Sequence, residues 1–319
     1  MEYRRIGNSG LKTSTISIGN WLTYGTAVEN ESARAIIRRA YEAGINHFDS
    51  AIAYGNKPHE GEQVLGEFLR EFPRSSYILT TKTYWKIGPS VLDQGLSRKH
   101  IFDQIDISLK ALGTDYVDIF YCHRYDTETD LEETLRALDD LVASGKVRYA
   151  AVSEWTAHQI QDAAHIGRRL GLRRLLGTQS QYNMLQRQVE TNGVIETLQK
   201  EGYGLIPWSP LAGGILTGKY RPGQAAPEGS RGANPRFSRF VQQTLNDPKS
   251  MERLGKLLNV SEQAGIPLSQ LALAWLLTRP TVCSALIGAT KLEQLEENLK
   301  AADLKLSPDL LAAIDQALA

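Results

Sequence analysis

Cysteine is almost absent from this sequence. Cys122 and Cys283 are the only two, too few for a disulfide framework, so the expected setting is a reducing cytoplasm. An excess of charge is missing too: 36 acidic residues balance 36 basic ones, which leaves no net field to draw in nucleic acid or an anionic membrane surface. No run of about 18 apolar residues occurs, so no membrane insertion is expected. The opening Met1-Glu2-Tyr3-Arg4-Arg5-Ile6-Gly7 lacks the apolar centre of a signal peptide. His59, His100, His158 and His165 show no metal-ligand spacing with one another or with the cysteines, and no metal is expected. A G-x-G-x-x-G after an early strand is missing, which argues against an open doubly wound sheet. Gly213-Gly214-Ile215-Leu216-Thr217-Gly218-Lys219-Tyr220 follows the phosphate-loop pattern of nucleotide hydrolases until Tyr220 stands where a magnesium-binding Ser or Thr is needed.

What is present is an ordinary globular composition. The chain has 319 residues, 42% hydrophobic and 23% charged, and can bury roughly three quarters of its unfolded surface. Asn8-Ser9-Gly10 reads as the turn of an opening hairpin, followed by a first barrel strand at 16–20. Asn30 reads as a helix cap, and Ala33, Ile36, Ile37, Ala40 and Tyr41 fall on one helical face. Strands are then expected at 45–49, 77–82, 117–122, 147–152, 175–180, 204–208 and 282–287. Helices are expected at 60–71, 98–112, 130–144, from 156, and at 190–200. The stretch 213–246, rich in Gly, Pro and Ser, shows neither period and reads as a long loop and lid candidate after the seventh strand. Strand and helix alternating in this way predict an α/β fold, a (β/α)8 TIM barrel with an N-terminal β-hairpin, as a single domain over 1–319.

Three early strands end on ionisable groups. Asp49 closes the first and is followed at once by the loop carrying Tyr54; Lys82 closes the next, and His123 follows Cys122 at the end of the third. Carboxyl ends of parallel barrel strands share one face, where catalytic residues collect. A phenol has a pKa near 10 and is a reluctant acid at neutrality. An ammonium about 4 Å away favours the phenolate by roughly 4 kcal/mol at an effective dielectric of about 20, so Lys82 is expected to bring the Tyr54 pKa down. Asp49 is expected to keep Lys82 charged. Cys122 beside His123 reads as a buried strand cysteine rather than a nucleophile.

The words Phe48-Asp49-Ser50-Ala51 with Tyr54, Thr81-Lys82, His123, Val152-Ser153, Gln179, Trp208-Ser209-Pro210-Leu211 and Leu286-Ile287-Gly288-Ala289-Thr290 occur in the order found in the aldo-keto reductases, which the chain resembles over essentially its whole length. Within them it most resembles the branch of the voltage-gated potassium-channel beta subunits and their bacterial relatives. The words at 19–25, 95–101 and Trp208-Ser209-Pro210-Leu211-Ala212-Gly213-Gly214-Ile215 carry that likeness. The resemblance implies an NADPH-dependent enzyme that reduces a small-molecule carbonyl substrate. Asp49, Tyr54, Lys82 and His123 would be catalytic, Tyr54 as general acid and His123 orienting the carbonyl.

The same resemblance places the NADPH/NADP+ contacts. Ser153 and Gln179 would hold the nicotinamide carboxamide and Trp208 would stack on its ring, with Gly19, Asn20, Trp21 and Asp49 nearby. Ser209, Pro210, Leu211, Gly213, Gly288, Thr290, Gln294, Glu297 and Asn298 would bind the pyrophosphate and adenosine, and Lys219 and Arg231 the 2'-phosphate. Trp21, Tyr24, Trp85 and the 213–240 loop would shape the substrate pocket. Glu154 departs from the family pattern, which often has Asn there; an ionised acid cannot donate to a carboxamide oxygen, so residue 154 is left out of the expected site. His123 stands where the channel subunits carry an amide, which favours catalysis. The branch also admits an NADPH-binding regulator of a channel with slow chemistry, and assemblies of several copies.

Overall fold

Alternation of side chains along each strand organises the molecule. The computed structural model describes every residue except 25, 27, 222, 223 and 236, and the side chain of Phe240. The chain opens with an antiparallel pair, β1 (Tyr3–Arg5) and β2 (Lys12–Ser14). It then alternates as β3 (Ile16–Gly19), α1 (Asn30–Glu42), β4 (His47–Asp49), α2 (Glu60–Leu69), β5 (Ile78–Thr83), α3 (Arg98–Leu112), β6 (Val117–Cys122), α4 (Leu131–Ala143), β7 (Val147–Ser153), α5 (Ala157–Leu170), β8 (Gly177–Gln179), α6 (Val194–Glu201) and β9 (Gly204–Leu205). Then follow α7 (Arg239–Asn246), α8 (Pro248–Ala264), α9 (Leu268–Leu277), β10 (Ala285–Ile287), α10 (Leu292–Leu299) and α11 (Pro308–Leu318).

Eight parallel strands run in the order β10-β3-β4-β5-β6-β7-β8-β9. The circle closes between β9 and β10 through single bridges, Leu205 with Val282 and Trp208 with Leu286. Pro207, which has no N–H to donate, lies between them, yet its carbonyl accepts from Leu286 N at 3.0 Å. The fold is a (β/α)8 barrel. No described helix is long and apolar enough to cross a membrane.

Two apolar layers result. Inward residues Ile78, Ile119, Tyr121, Ala151, Leu176, Ile206 and Leu286 fill the barrel with Ile6, which the hairpin inserts at the amino-terminal end. Outward residues such as Phe48, Leu79, Phe120 and Val152 pack beneath the helices; each such side chain, once buried, contributes about 1.5–3 kcal/mol. On β5 the period of two that sends Ile78 inward also sends Thr80 and Lys82 inward, so Lys82 enters the barrel where the packed interior ends. Helix α1 buries Ala33, Ile36, Ile37 and Ala40, the face expected from the sequence. Thr156 and Gln159 form a capping box at the start of α5.

Several expected boundaries differ. Asn30 is the first residue of α1 rather than its cap; Glu29 occupies the cap position without a side-chain bond. The strands expected at 175–180, 204–208 and 282–287 are three, two and three residues long; in the second, Pro207 has no N–H to offer a neighbouring strand. The helix expected at 190–200 is α6, from Val194 to Glu201. The stretch 213–246 is not wholly irregular: a 3-10 turn spans Ala212–Thr217 and α7 closes the stretch. Helix α9, every residue of it buried, was not anticipated; a helix apolar on all sides carries no amphipathic signal.

Candidate active site

At the carboxyl ends of the strands Asp49, Tyr54, Lys82 and His123 come together. Lys82 Nζ donates to Asp49 Oδ2 at 2.5 Å, to Ser50 O at 2.9 Å and to Tyr54 Oη at 3.2 Å. Asp49 Oδ1 accepts from Thr80 Oγ1 at 2.6 Å and from Gln179 Nε2 at 2.8 Å, so adjacent strands and one across the barrel hold the carboxylate. The Tyr54 and His123 rings meet edge to face with centroids 5.7 Å apart.

The Tyr54 loop is pinned by its own backbone. Ile52 N donates to Lys82 O, His59 N to Ile52 O at 2.7 Å, and Gly61 N to Tyr54 O at 2.8 Å. A Cβ on Gly61 would lie 2.9 Å from Tyr54 O, so glycine is what allows α2 to approach this closely. Buried Glu62 ties α2 to β5, accepting from Thr81 Oγ1 at 2.5 Å and meeting His59 Nδ1 at 2.5 Å.

Burial sets the protonation states. Desolvation, reinforced by the Asp49 charge, holds the Tyr54 phenol well above its usual range, contrary to the expected lowering by Lys82. Desolvation also pulls the Lys82 ammonium down, with Asp49 opposing it. His123 is pushed well below the ordinary imidazole value by burial and then by the Lys82 and Arg124 charges, so the ring is neutral near pH 7, and its Nδ1 has no hydrogen-bond partner among the described residues. The arrangement is a retained phenolic proton beside an ammonium and a neutral imidazole, which can protonate an oxygen that acquires negative charge.

These groups form the floor of a cavity of about 880 Å³. Of the residues expected in the site, Gly19, Trp21, Asp49, Tyr54, Trp85, His123, Ser153, Gln179, Trp208, Ser209, Pro210, Leu211, Gly213, Lys219, Arg231, Gly288, Thr290, Gln294, Glu297 and Asn298 line it. Lys82 lies beneath and reaches it through Tyr54. Asn20 and Tyr24 do not line it. Asn20 is buried and braces the Tyr54 loop, its Nδ2 donating to Gly61 O at 2.6 Å. Tyr24 sits in the core under the helices, with its phenol raised far above its usual value by burial; the chain turns after β3, where no strand period fixes direction. In the word at 19–25, Gly25 lies outside the described residues, as do Pro222, Gly223, Arg236 and the Phe240 side chain of the 213–240 loop.

Away from the floor, Lys219 and Arg231 face the cavity together. Burial lowers both cations, and the Arg231 charge lowers Lys219 further. Among the described residues no carboxylate lies within ion-pair distance of either. Two neighbouring, partly desolvated cations without an acid suit a phosphate dianion. Gly213 and Gly214, with φ of 68° and 102°, turn the chain above Lys219; a Cβ on Gly214 would lie 3.2 Å from Lys219 Nζ. On α10, Gln294 Oε1 accepts from Thr290 N and Oγ1, and Glu297 Oε1 from Ser269 at 3.4 Å.

Two residues were missed by sequence reasoning. Glu154, set aside as unable to serve a carboxamide, accepts from Trp208 Nε1 at 2.7 Å and Gln181 N at 2.6 Å. It thereby fixes the indole, which meets Trp21 edge to face at 5.9 Å. Arg124 lines the cavity beside His123; its place directly after a strand-end histidine was the available signal.

A profile of the aldo/keto reductase family matches residues 15–319. The chain is 39% identical to a protein of Arabidopsis thaliana named as a probable voltage-gated potassium channel subunit beta, over 100% of this chain and 97% of that one. It is 40% identical to L-glyceraldehyde 3-phosphate reductase of Escherichia coli, over 100% of this chain and 93% of that protein. With the barrel and this full-length match together, the chain belongs to the aldo/keto reductase family, oxidoreductases that act on small carbonyl compounds and generally use nicotinamide cofactors.

Proposed function

We propose that this chain reduces aldehydes and ketones to alcohols with NADPH. One observation carries the reading: a single cavity holds the Tyr54–Lys82–Asp49 chain of contacts with His123 at its floor and the unneutralised Lys219–Arg231 pair elsewhere in its wall. The bound cofactor supplies hydride to the carbonyl carbon. Tyr54, kept protonated by its burial, gives its proton to the oxygen as charge develops there. The Lys82 ammonium then stabilises the phenolate, and Asp49 keeps that ammonium charged and aimed. Neutral His123 orients the carbonyl oxygen.

Trp208, held by Glu154, gives the nicotinamide a flat face, and Ser153 and Gln179 lie along the same wall for its carboxamide. Ser209, Pro210, Leu211 and Gly213 follow β9, and Gly288, Thr290, Gln294, Glu297 and Asn298 follow β10, so two adjacent strand ends serve the pyrophosphate and adenosine. Lys219 and Arg231 bind the 2'-phosphate, which is the basis for NADPH over NADH. Gly19 and Trp21 border the reacting centre, and Trp85 walls the substrate. We read residues 1–319 as one domain working in the cytoplasm.

The test is a fluorescence titration with NADPH and with NADH, followed in the same cuvette by 4-nitrobenzaldehyde. Tighter NADPH binding with steady oxidation is the expected result. Absence of binding overturns the cofactor reading. Binding without turnover favours the second reading, a nucleotide-holding channel regulator, which rests on full-length similarity to a protein named as a channel beta subunit.

A further inference from the structure

The catalytic end of the cavity carries a cation that the reduction itself does not use. Arg124 follows His123 directly and lines the cavity with it. Its guanidinium carbon lies 5.1 Å from the centroid of the Trp85 ring, and that ring lies 6.1 Å from His123. One arm is fixed, Nη1 donating to His123 O at 2.5 Å. Among the described residues no carboxylate lies within ion-pair distance of Arg124.

The acids nearby do not neutralise it. Asp49 and Glu297 are the carboxylates among the described lining residues. Asp49 is committed to Lys82 at 2.5 Å, and Glu297, on α10, has Lys300 and Ser269 as its partners. The Arg124 charge reaches Tyr54, Lys82 and His123, favouring the less positive form of each. A guanidinium held by one arm and a ring face keeps its remaining N–H donors in a fixed fork, the geometry that matches a carboxylate or phosphate.

We infer that Arg124, backed by Trp85, is a subsite for an anionic group on the carbonyl substrate, so that the preferred substrates are short aldehydes or ketones bearing a carboxylate or phosphate close to the carbonyl. The inference rests on the reductase reading above and deepens it. Arg124 acts here as a specificity residue rather than as acid or base.

The test compares charged and neutral partners of similar size with NADPH: succinic semialdehyde against butanal, and glycolaldehyde phosphate against glycolaldehyde. The wild-type protein is expected to favour the charged member by about 10- to 100-fold in kcat/KM, the range of a charge-assisted hydrogen bond, with most of the difference in KM. The pair showing the larger ratio tells carboxylate from phosphate. In Arg124→Gln each ratio is expected to fall toward one, and Arg124→Lys, which keeps the charge but not the fork, is expected to retain part of it. A charged-substrate preference that a folded Arg124→Gln or Arg124→Met protein keeps in full belongs to another cation of the cavity and overturns the subsite. Turnover of all four aldehydes with ratios near one overturns the Arg124 subsite and leaves the reductase standing; no turnover of any of the four or of 4-nitrobenzaldehyde overturns both.

Discussion

Replacing Lys82 with methionine is expected to slow reduction by about three to four orders of magnitude while NADPH still binds. The magnitude comes from the 3.2 Å contact between Lys82 Nζ and Tyr54 Oη. At an effective dielectric of about 20, a unit charge at that distance stabilises the phenolate by about 5 kcal/mol, close to four decades in rate if the proton transfer is complete in the transition state. Methionine also leaves Asp49, 1% exposed, without its cation and with Thr80 and Gln179 as its remaining side-chain donors. Removing one partner of such a pair costs about 3–5 kcal/mol of stability, so the single variant confounds folding with chemistry. The double variant Asp49→Asn with Lys82→Met removes both charges and is expected to melt closer to wild type. It should regain part of the lost rate, because the carboxylate that opposes phenolate formation is gone. Single-turnover oxidation of bound NADPH, with a thermal melt of each variant, reads both quantities. A folded Lys82→Met protein whose chemical step is within tenfold of wild type refutes the role given to this contact.

Other perturbations separate other parts of the site. Tyr54→Phe should abolish reduction with NADPH affinity nearly unchanged; turnover at an undiminished rate means another group is the acid. Lys219→Ala should weaken NADPH far more than NADH in a fluorescence titration, and equal losses place the 2'-phosphate elsewhere. Glu154→Ala, which frees the Trp208 indole N–H, should weaken nicotinamide binding by about tenfold, the worth of one hydrogen bond to a charged group; Glu154→Gln, which still offers an acceptor, should retain most of it. His47 is buried and its pKa is lowered to about 4 by desolvation. Below pH 6.5 the unfolded chain therefore binds a proton that the folded chain refuses, and stability falls by about 1.4 kcal/mol per pH unit, about 3 kcal/mol in all by pH 4. Urea midpoints for wild type and His47→Asn between pH 7 and 4.5 check this, the variant being expected to lose less.

The barrel was legible because each buried strand is a short apolar run that ends on a chemically distinct residue. In Ile78-Leu79-Thr80-Thr81-Lys82 the same period of two that places Ile78 inside also aims Lys82, so strand and site were read from one pattern. Tyr24 escaped that logic, since it lies beyond β3 in a turn where periodicity says nothing about direction. Glu154 escaped for the opposite reason: the expected partner, a carboxamide, was wrong for an acid, whereas an indole N–H 2.7 Å away is right for one. The Tyr54 pKa goes the other way because burial, which opposes the attraction to the Lys82 ammonium, dominates and is reinforced by the Asp49 charge. Helix α7 is hidden by a loop-like composition and α9 by the near-uniform apolarity of Leu268–Leu277; α8 is legible, with Asp247 as cap, Pro248 in its first turn and Leu254, Leu257, Leu258 and Ser261 on one face.

The two ends of the barrel are built on different principles. At the amino end Gly7 lets the hairpin press against the chain at 202–204, where a Cβ would lie 2.5 Å from Gly202 O, and Ile6 fills the opening with hydrocarbon. At the carboxyl end, residues that rarely take a positive φ do so: Leu22, His59, Glu154, Ser209 and Ala212, following β3, β4, β7 and β9. Backbone of this kind costs on the order of 1–3 kcal/mol per residue and persists only where the surroundings over-determine it. Four of the five are tied down by hydrogen bonds around the cavity: His59 by its N–H donating to Ile52 O, Glu154 by Trp208 and Gln181, Ser209 by its carbonyl accepting from Asn183 Nδ2 at 2.9 Å, and Ala212 by its N–H donating to Ser209 O at 2.9 Å. Strain, buried charge and unneutralised cations therefore gather on one face, while the packed interior and the hairpin below supply the stability that holds them there. A barrel so divided can change the lining of its mouth with little consequence for its core, which is why the site, rather than the fold, has to carry the functional reading.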